Sequence, residues 1–281
     1  MSAVSSALLR FTISRDGSML KIKMHAMYDH FPDLTPSEGD SFIDFYSDTY
    51  VDQVQDGEKA VAMLLEPRSM IGPAYDFVEE HGDKFGLIFT HDSRILRKWQ
   101  QAWFLNWGDV WFTSDEEKTK GISIVSSWKN WCPLHDARIA LAKMYDGSGV
   151  VDCFGSFRGD KDHWDSTEDA HKAYRFAIVV ENDIDDLWYT EKILNCFSNK
   201  VVPIYVGATR IGELFNDDGI IQVNNWQDIP EIIKHLDIEA DYESRRFAIN
   251  DNFERVKPYA VPWKERFFKR YGRLLEDFQN G

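Results

Sequence analysis

Short apolar runs alternate with stretches of helical period along this chain, and that alternation sets its architecture. Leu20 to His25 alternates as a strand, and Ala60 to Leu65 (AVAMLL) is a continuous apolar run suited to burial on both faces of a parallel sheet. Phe85 to Phe89 gives a third strand, ending in Thr90-His91-Asp92, with a helix expected over Gly72 to Gly82. Asp29 to Asp40 reads as a loop from its Asp and Pro content, whereas SFIDFYSDTYV from Ser41 carries too many aromatics for its period to assign it. The polar stretch Thr113 to Gly121 (TSDEEKTKG) reads as a linker between two domains. Alternation then restarts with a strand at Ile122 to Val125, a helix over about His135 to Tyr145, and a capped helix over Ser166 to Ala173. Arg175 to Val180 and Val201 to Val206 are further strands. Past Gly207 come a short helix in ATRIGELF, a strand in IIQV (Ile220 to Val223) and a helix over Trp226 to Leu236. The tail from Pro262 to Gln279 is amphipathic, with Trp263, Phe267, Phe268, Tyr271 and Leu274 or Leu275 on one side.

Repeated strand and helix alternation predicts an α/β chain. Its most informative stretch runs from Tyr174 to Gly207, where a strand, an acidic loop, a helix and a second strand follow one another. A strand, helix, strand unit puts its loop at the carboxyl edge of the sheet, where open α/β folds bind ligands. Glu181 and Asn182 stand where the first strand would leave the sheet. Thr190 suits a helix N-cap, Glu191 and Lys192 fall in the first turn, and Ile193, Leu194 and Phe197 form an inward face. Lysine is mildly unfavourable at the positive end of a helix, and a bound phosphate would turn it into an asset.

Composition narrows the partners. The net charge of −15 argues against nucleic acid or an anionic membrane surface, both of which want broad positive fields. Aromatics at 14% serve mainly as core, with stacking platforms for a sugar or a nucleobase as the sharper alternative. Cys132, Cys153 and Cys196 are odd in number and lack CxxC spacing, which fits buried thiols in a reducing compartment. No run approaches the roughly 18 apolar residues of a membrane span, and the first residues lack a basic region ahead of an apolar core. A cytoplasmic location without an anchor is therefore expected. There is no HExxH, GxSxG, P-loop or GxGxxG. Asp183-x-Asp185 and Asp160-x-Asp162 read as DxD, but among 47 acidic residues such triplets arise by chance, so no metal site is expected.

ENDIDDLWYTEKI, from Glu181, followed by VVPIYVGA, from Val201, resembles the C-terminal motif of the family 10 glycosyltransferases, the α1,3-fucosyltransferases. That pattern runs FEN, a short variable loop, TEK, then VP and a Gly. Glu181, Asn182, Thr190, Glu191, Lys192, Pro203 and Gly207 match it in order and approximate spacing. The resemblance spans about Ala60 to Leu236 and is densest from Tyr174 to Gly207. It implies a GT-B fold, two Rossmann-like domains facing across a cleft. Residues 1–115 would form an acceptor and catalytic-base domain, 121–257 a donor domain, and 258–281 a helix packing back on the first. For the donor it implies Arg138, Glu181, Asn182, Trp188, Tyr189, Thr190, Glu191 and Lys192, with Arg138 on the diphosphate and Glu191 on the ribose hydroxyls. Read without the family, Arg138 could equally pair on the surface with Asp136 or Asp146.

The segment Glu66-Pro67-Arg68-Ser69 follows a strand, where the family carries its general base in an E-S-P context, here displaced by one. Glu66 is thus the implied catalytic base, and Arg68 and His91 are candidate acceptor contacts. His91 reads equally as a hydrogen-bonded histidine at a strand end. Two positions depart from the family: Trp188 stands for a Tyr, and Asp183 for the Ser that commonly follows FEN. The implied activity is inverting transfer, without metal or cofactor, from GDP-fucose to a hydroxyl of an oligosaccharide or glycoprotein. A UDP-sugar such as UDP-xylose fits the same mechanism. A non-catalytic glycan- or nucleotide-binding module would have no use for Glu66 beside Arg138 and Lys192, and a dinucleotide enzyme would need the missing glycine fingerprint.

Overall fold

The computed structural model describes residues 19–56, 59–159 and 167–281. They group into two compact units, one running to Trp107 and including Pro262–Gly281, the other Gly108–Val261. The boundary falls ahead of the acidic stretch Thr113 to Gly121, which lies inside the second unit and not between the two. Among the described residues no helix is long and apolar enough to cross a membrane.

In the first unit, β1 (Ile22–His25), β2 (Ile43–Ser47), β3 (Ala60–Met63), β4 (Leu87–Thr90) and β5 (Ala102–Phe104) form a parallel sheet in sequence order. β2 occupies the aromatic segment that periodicity left unassigned. All five of its residues are buried, so no polar face remains to give it a period of two. Alternate residues serve opposite faces. Val61 and Met63 join Phe45, Phe89 and the helix Trp263–Asn280, while Ala60, Ala62 and Leu64 face Tyr75 and Val78 of α1 (Arg68–His81). α1 starts directly after Pro67, earlier than the Gly72 start that the sequence suggests, and departs from helical geometry at Ile71 ahead of Pro73. α2 (Ser93–Lys98) is capped by Asp92, whose carboxylate accepts from the Arg94 and Ile95 N–H groups.

The second unit holds β6 (Lys120–Val125), α3 (Pro133–Tyr145), β7 (Val151–Phe154), β8 (Tyr174–Val180), α4 (Glu191–Ser198), β9 (Val202–Val206) and β10 (Ile221–Gln222). Its parallel sheet runs β10-β9-β8-β6-β7. One face packs Ile124, Ile178 and Ile204 against Leu141 of α3, and the other packs Val179 and Tyr205 against Ile193 and Phe197 of α4. Three short helices, α5 (Ile229–His235), α6 (Ile238–Ser244) and α7 (Arg246–Val256), follow. The helix expected in ATRIGELF is a single 3-10 turn at Ile211–Glu213. The capped helix expected over Ser166 to Ala173 is turn structure from Thr167 onward, and its proposed cap lies outside the described residues, as does Asp160-x-Asp162.

The last helix, α8 (Trp263–Asn280), completes the core of the first unit with Phe267, Phe268, Tyr271 and Leu275. Its Tyr271 hydroxyl donates to the Phe104 carbonyl, and the Lys59 ammonium donates to the Gln279 carbonyl at 2.6 Å. Leu275 is fully buried, so Leu275→Ala is expected to lower stability by roughly 2–5 kcal/mol, read from urea unfolding. Burial also depresses several histidines, among them His91 to about 3 and His171 to about 4. An unfolded histidine takes its proton near 6.5, so unfolding consumes protons and stability falls as pH drops from about 6.5 towards 4. His171→Gln should flatten that slope, measured as the urea midpoint against pH.

Candidate active site

Strand order fixes where a ligand can sit in the second unit. β6 has β7 on one side and β8 on the other, so the chain reverses its winding between β6 and β8, and their carboxyl ends form the topological switch point. Glu181 and Asn182 follow β8 at that point, and α3, arriving from β6, brings His135 and Arg138 to Asn182.

Glu181 is fully buried and its carboxylate is completely engaged. Oε1 accepts from the Thr190 N–H at 2.9 Å, and Oε2 accepts from the Thr190 hydroxyl at 2.8 Å and from Lys192 Nζ at 3.2 Å. Its own N–H donates to the Val206 carbonyl of the neighbouring strand at 2.8 Å. Gly207 makes room for it, since a Cβ there would lie 2.7 Å from Glu181 Cγ and 2.4 Å from the Tyr205 hydroxyl. The residue read as a donor contact is therefore an internal anchor, because a carboxylate taken out of water survives only with such partners. Thr190 caps α4 as its sequence suggests, accepting from the Lys192 N–H. Lys192 Nζ also lies 3.4 Å from Glu191. Burial disfavours its charge, but Glu181 and Glu191 more than offset that and hold its pKa above the ordinary lysine value.

Asn182 uses its side-chain oxygen twice, accepting from Arg138 Nη2 at 2.8 Å and from His135 Nε2 at 2.9 Å. The Trp131 N–H donates to His135 Nδ1 at 3.1 Å, which makes Nδ1 an acceptor and leaves the ring proton on Nε2 for Asn182. Burial first, then the Arg138 charge, depress His135 to about 4, so it is neutral at pH 7. Arg138 is 9% exposed and held by Asn182, which overturns a surface pairing with Asp136 or Asp146; Asp146 binds Arg158 instead. Its bond to Asn182 uses one guanidinium nitrogen of three. Sequence reasoning missed His135. Its spacing of three residues ahead of Arg138, one helical turn, is the signal that could have found it.

Trp188 and Tyr189, read as donor contacts, lie in the interior. Both are 1% exposed, and Tyr189 packs among Ile193, Leu194 and Phe215 with its hydroxyl 2.6 Å from that of Tyr259. Burying two large rings anchors the loop ahead of α4, so the Trp188 departure from the family falls in the interior. Among the described residues Asp183 and Asp185 join no cluster of three or more metal-ligating side chains. The acidic loop is instead pinned by the Thr209 and Arg210 N–H groups, which donate to the Asp185 and Asp186 carbonyls at 2.8 and 3.0 Å.

In the first unit Glu66 is half-buried at the carboxyl end of β3, directly ahead of Pro67 and α1. Arg68 is already paired: its guanidinium binds Asp76 at 2.7 Å, Glu79 at 2.9 Å and Asp92 at 3.2 Å. His91 is 1% exposed, with Nε2 3.0 Å from the Tyr75 hydroxyl, and its depressed pKa keeps it neutral. It sits as a hydrogen-bonded histidine just past the end of β4.

The sequence model for glycosyltransferase family 10 (fucosyltransferase), C-terminal region, matches residues 115–258. A solved α1,3-fucosyltransferase with GDP superposes at TM-score 0.59 and 13% identity, covering 98% of this chain and 96% of that one. TarM superposes at TM-score 0.56 and 10% identity (85% of this chain, 55% of that one), and the GtfA/B complex at 0.53 and 11% (85% and 58%). At such identities these likenesses establish the fold, an α/β GT-B fold built on parallel sheets. With the family match over the second unit, they settle the class: the chain belongs to glycosyltransferase family 10, the fucosyltransferases, and is a nucleotide-sugar glycosyltransferase.

Proposed function

We propose that the chain transfers fucose from GDP-fucose to a hydroxyl of a glycan, with inversion at the anomeric carbon. The observation that carries this reading is the placement of two cations around the carboxyl end of β8, Arg138 held by Asn182 at 2.8 Å and Lys192 held by Glu181 at 3.2 Å. Cations that repel one another at a switch point gain when a diphosphate comes between them. A fold neighbour solved with GDP supports the choice of nucleotide.

In this reading the acceptor hydroxyl gives its proton to Glu66 as its oxygen bonds to the anomeric carbon. The bond from that carbon to the phosphate oxygen breaks, and its electron pair leaves on the nucleoside diphosphate. Arg138 and Lys192 stabilise that departing charge, and Glu191, on the first turn of α4, accepts from the ribose hydroxyls. Glu181 and Asn182 take no direct part and hold Lys192 and Arg138 in place.

A thermal-shift panel with GDP, UDP, GDP-fucose and UDP-xylose tests the donor, since a ligand at a hundred times its Kd adds about 2.7 kcal/mol of stability. GDP compounds alone are expected to raise the melting temperature. A shift with UDP compounds alone would make the chain a UDP-sugar transferase, and silence with all four would leave a scaffold without donor chemistry. Lys192→Ala and Arg138→Ala should each weaken nucleotide binding roughly ten- to a hundredfold, by loss of a charge-assisted hydrogen bond. Glu66→Gln should keep nucleotide binding while turnover falls by about 10²–10⁴-fold. Normal turnover by that variant would remove Glu66 from the base role.

A further inference from the structure

β3 ends at Met63, and the Leu64 N–H still reaches the neighbouring strand, donating to the Phe89 carbonyl at 2.9 Å. The next two residues have left the sheet, and side chains take over its hydrogen bonds. Asp48 Oδ1 accepts from both the Leu65 N–H at 2.8 Å and the Glu66 N–H at 3.1 Å. The Trp107 indole N–H donates to the Leu65 carbonyl at 2.8 Å, and the Tyr75 hydroxyl donates to the Glu66 carbonyl at 2.7 Å. All four backbone polar groups of this dipeptide are thus gripped by three side chains from separate parts of the first unit. Pro67 follows, with no N–H to satisfy and a fixed φ of its own.

The grip itself is held from behind. Tyr75 gives its proton to Glu66, so its oxygen accepts from His91 Nε2, and the buried neutral His91 is the donor that orients the phenol. Asp48 adopts a left-handed backbone with φ of 52°, uncommon for a residue other than glycine and best tolerated by Asp and Asn. That conformation turns its carboxylate back onto the Leu65–Glu66 segment. Strain and a half-buried carboxylate would not persist together unless the surrounding structure over-determined them, and such outliers gather at functional positions. An ordinary strand-to-helix turn needs no such apparatus.

We propose that Asp48, Tyr75 and Trp107 are positioning residues that lock the Leu65–Glu66 backbone and so aim the Glu66 carboxylate at the nucleophile's proton, an inference that rests on Glu66 being the general base. A base serves only within about 3 Å of that proton, and a misplacement of about 1 Å can cost a hundredfold in rate. Clamping its own peptide groups is the shortest route to that precision.

The test uses Asp48→Gly, which keeps the left-handed backbone but removes the acceptor, Asp48→Asn, which keeps both backbone and acceptor, Tyr75→Phe and Glu66→Gln. Release of nucleoside diphosphate to water is followed with GDP-fucose, or with UDP-xylose if the panel above selects uridine. Asp48→Gly and Tyr75→Phe are expected to lower kcat roughly ten- to a hundredfold with the donor KM unchanged, and Asp48→Asn to restore most of it. Amide hydrogen exchange at Leu65 and Glu66 should rise at least about tenfold in Asp48→Gly. An inactive Glu66→Gln beside wild-type kcat in Asp48→Gly and Tyr75→Phe would overturn the positioning role and leave the base standing. An active Glu66→Gln would overturn the base and the positioning role with it. Should Asp48→Gly fail to fold, Tyr75→Phe decides the matter by the same split of kcat from KM, and unchanged exchange in a folded Asp48→Gly counts against the clamp.

Discussion

A carboxylate with no access to water governs the second unit. Glu181 stands at the end of the central strand β8, and an ionised carboxyl there is tolerable only while the backbone and hydroxyl of Thr190 and the ammonium of Lys192 complete its shell. That requirement fixes the start of α4, because Thr190 must both cap the helix and face Glu181. It fixes the next strand as well, since Tyr205 and Glu181 leave only a hydrogen's width at Gly207. Strand end, helix start and the residue after β9 are therefore one object, and the spacing of the motif is the spacing this carboxylate demands.

The same economy runs through the neighbouring network. Asn182 joins Arg138 and His135 through one oxygen, so two elements that reach the switch point from opposite sides of the sheet order are tied there. The ammonium of Lys192 donates to the Thr190 hydroxyl and lies beside Glu181 and Glu191, whose carboxylates offset its charge before any ligand arrives. An anionic ligand at this point meets cations already oriented by buried partners, the arrangement that electrostatic stabilisation of a leaving group requires.

Much of this was legible in the sequence, and the failures have a common physical cause. The ends of β3, β4 and β8 were readable because continuous apolar runs stop abruptly at polar residues. β2 was not, since IDFYS is buried on both faces and Asp44 is made tolerable by His25, a partner nineteen positions away. Thr190 declared itself as a cap through local chemistry. The burial of Glu181, Trp188, Tyr189 and His91 and the ion pairing of Arg68 were not legible, because residue type and position in a motif do not reveal exposure. Each is occupied by partners such as Tyr259, Asp92 or Tyr75 that only folding brings near. Asp48 gave no signal at all, for its value lies in a backbone conformation and in two N–H groups seventeen and eighteen residues downstream.

The membership of α8 in the first unit bears on how the molecule is made. Phe267, Phe268, Tyr271 and Leu275 fill one face of a sheet whose last strand ends at Phe104, and the whole second unit is encoded between them. A ribosome adding about 5–20 residues per second delivers that helix roughly ten to thirty seconds after the sheet has emerged. Throughout that interval Phe45, Val61, Met63 and Phe89 present an uncovered apolar face, while the second unit can fold as soon as it clears the tunnel. The second unit can thus mature before the first, and the first unit is the one that stays exposed to aggregation longest.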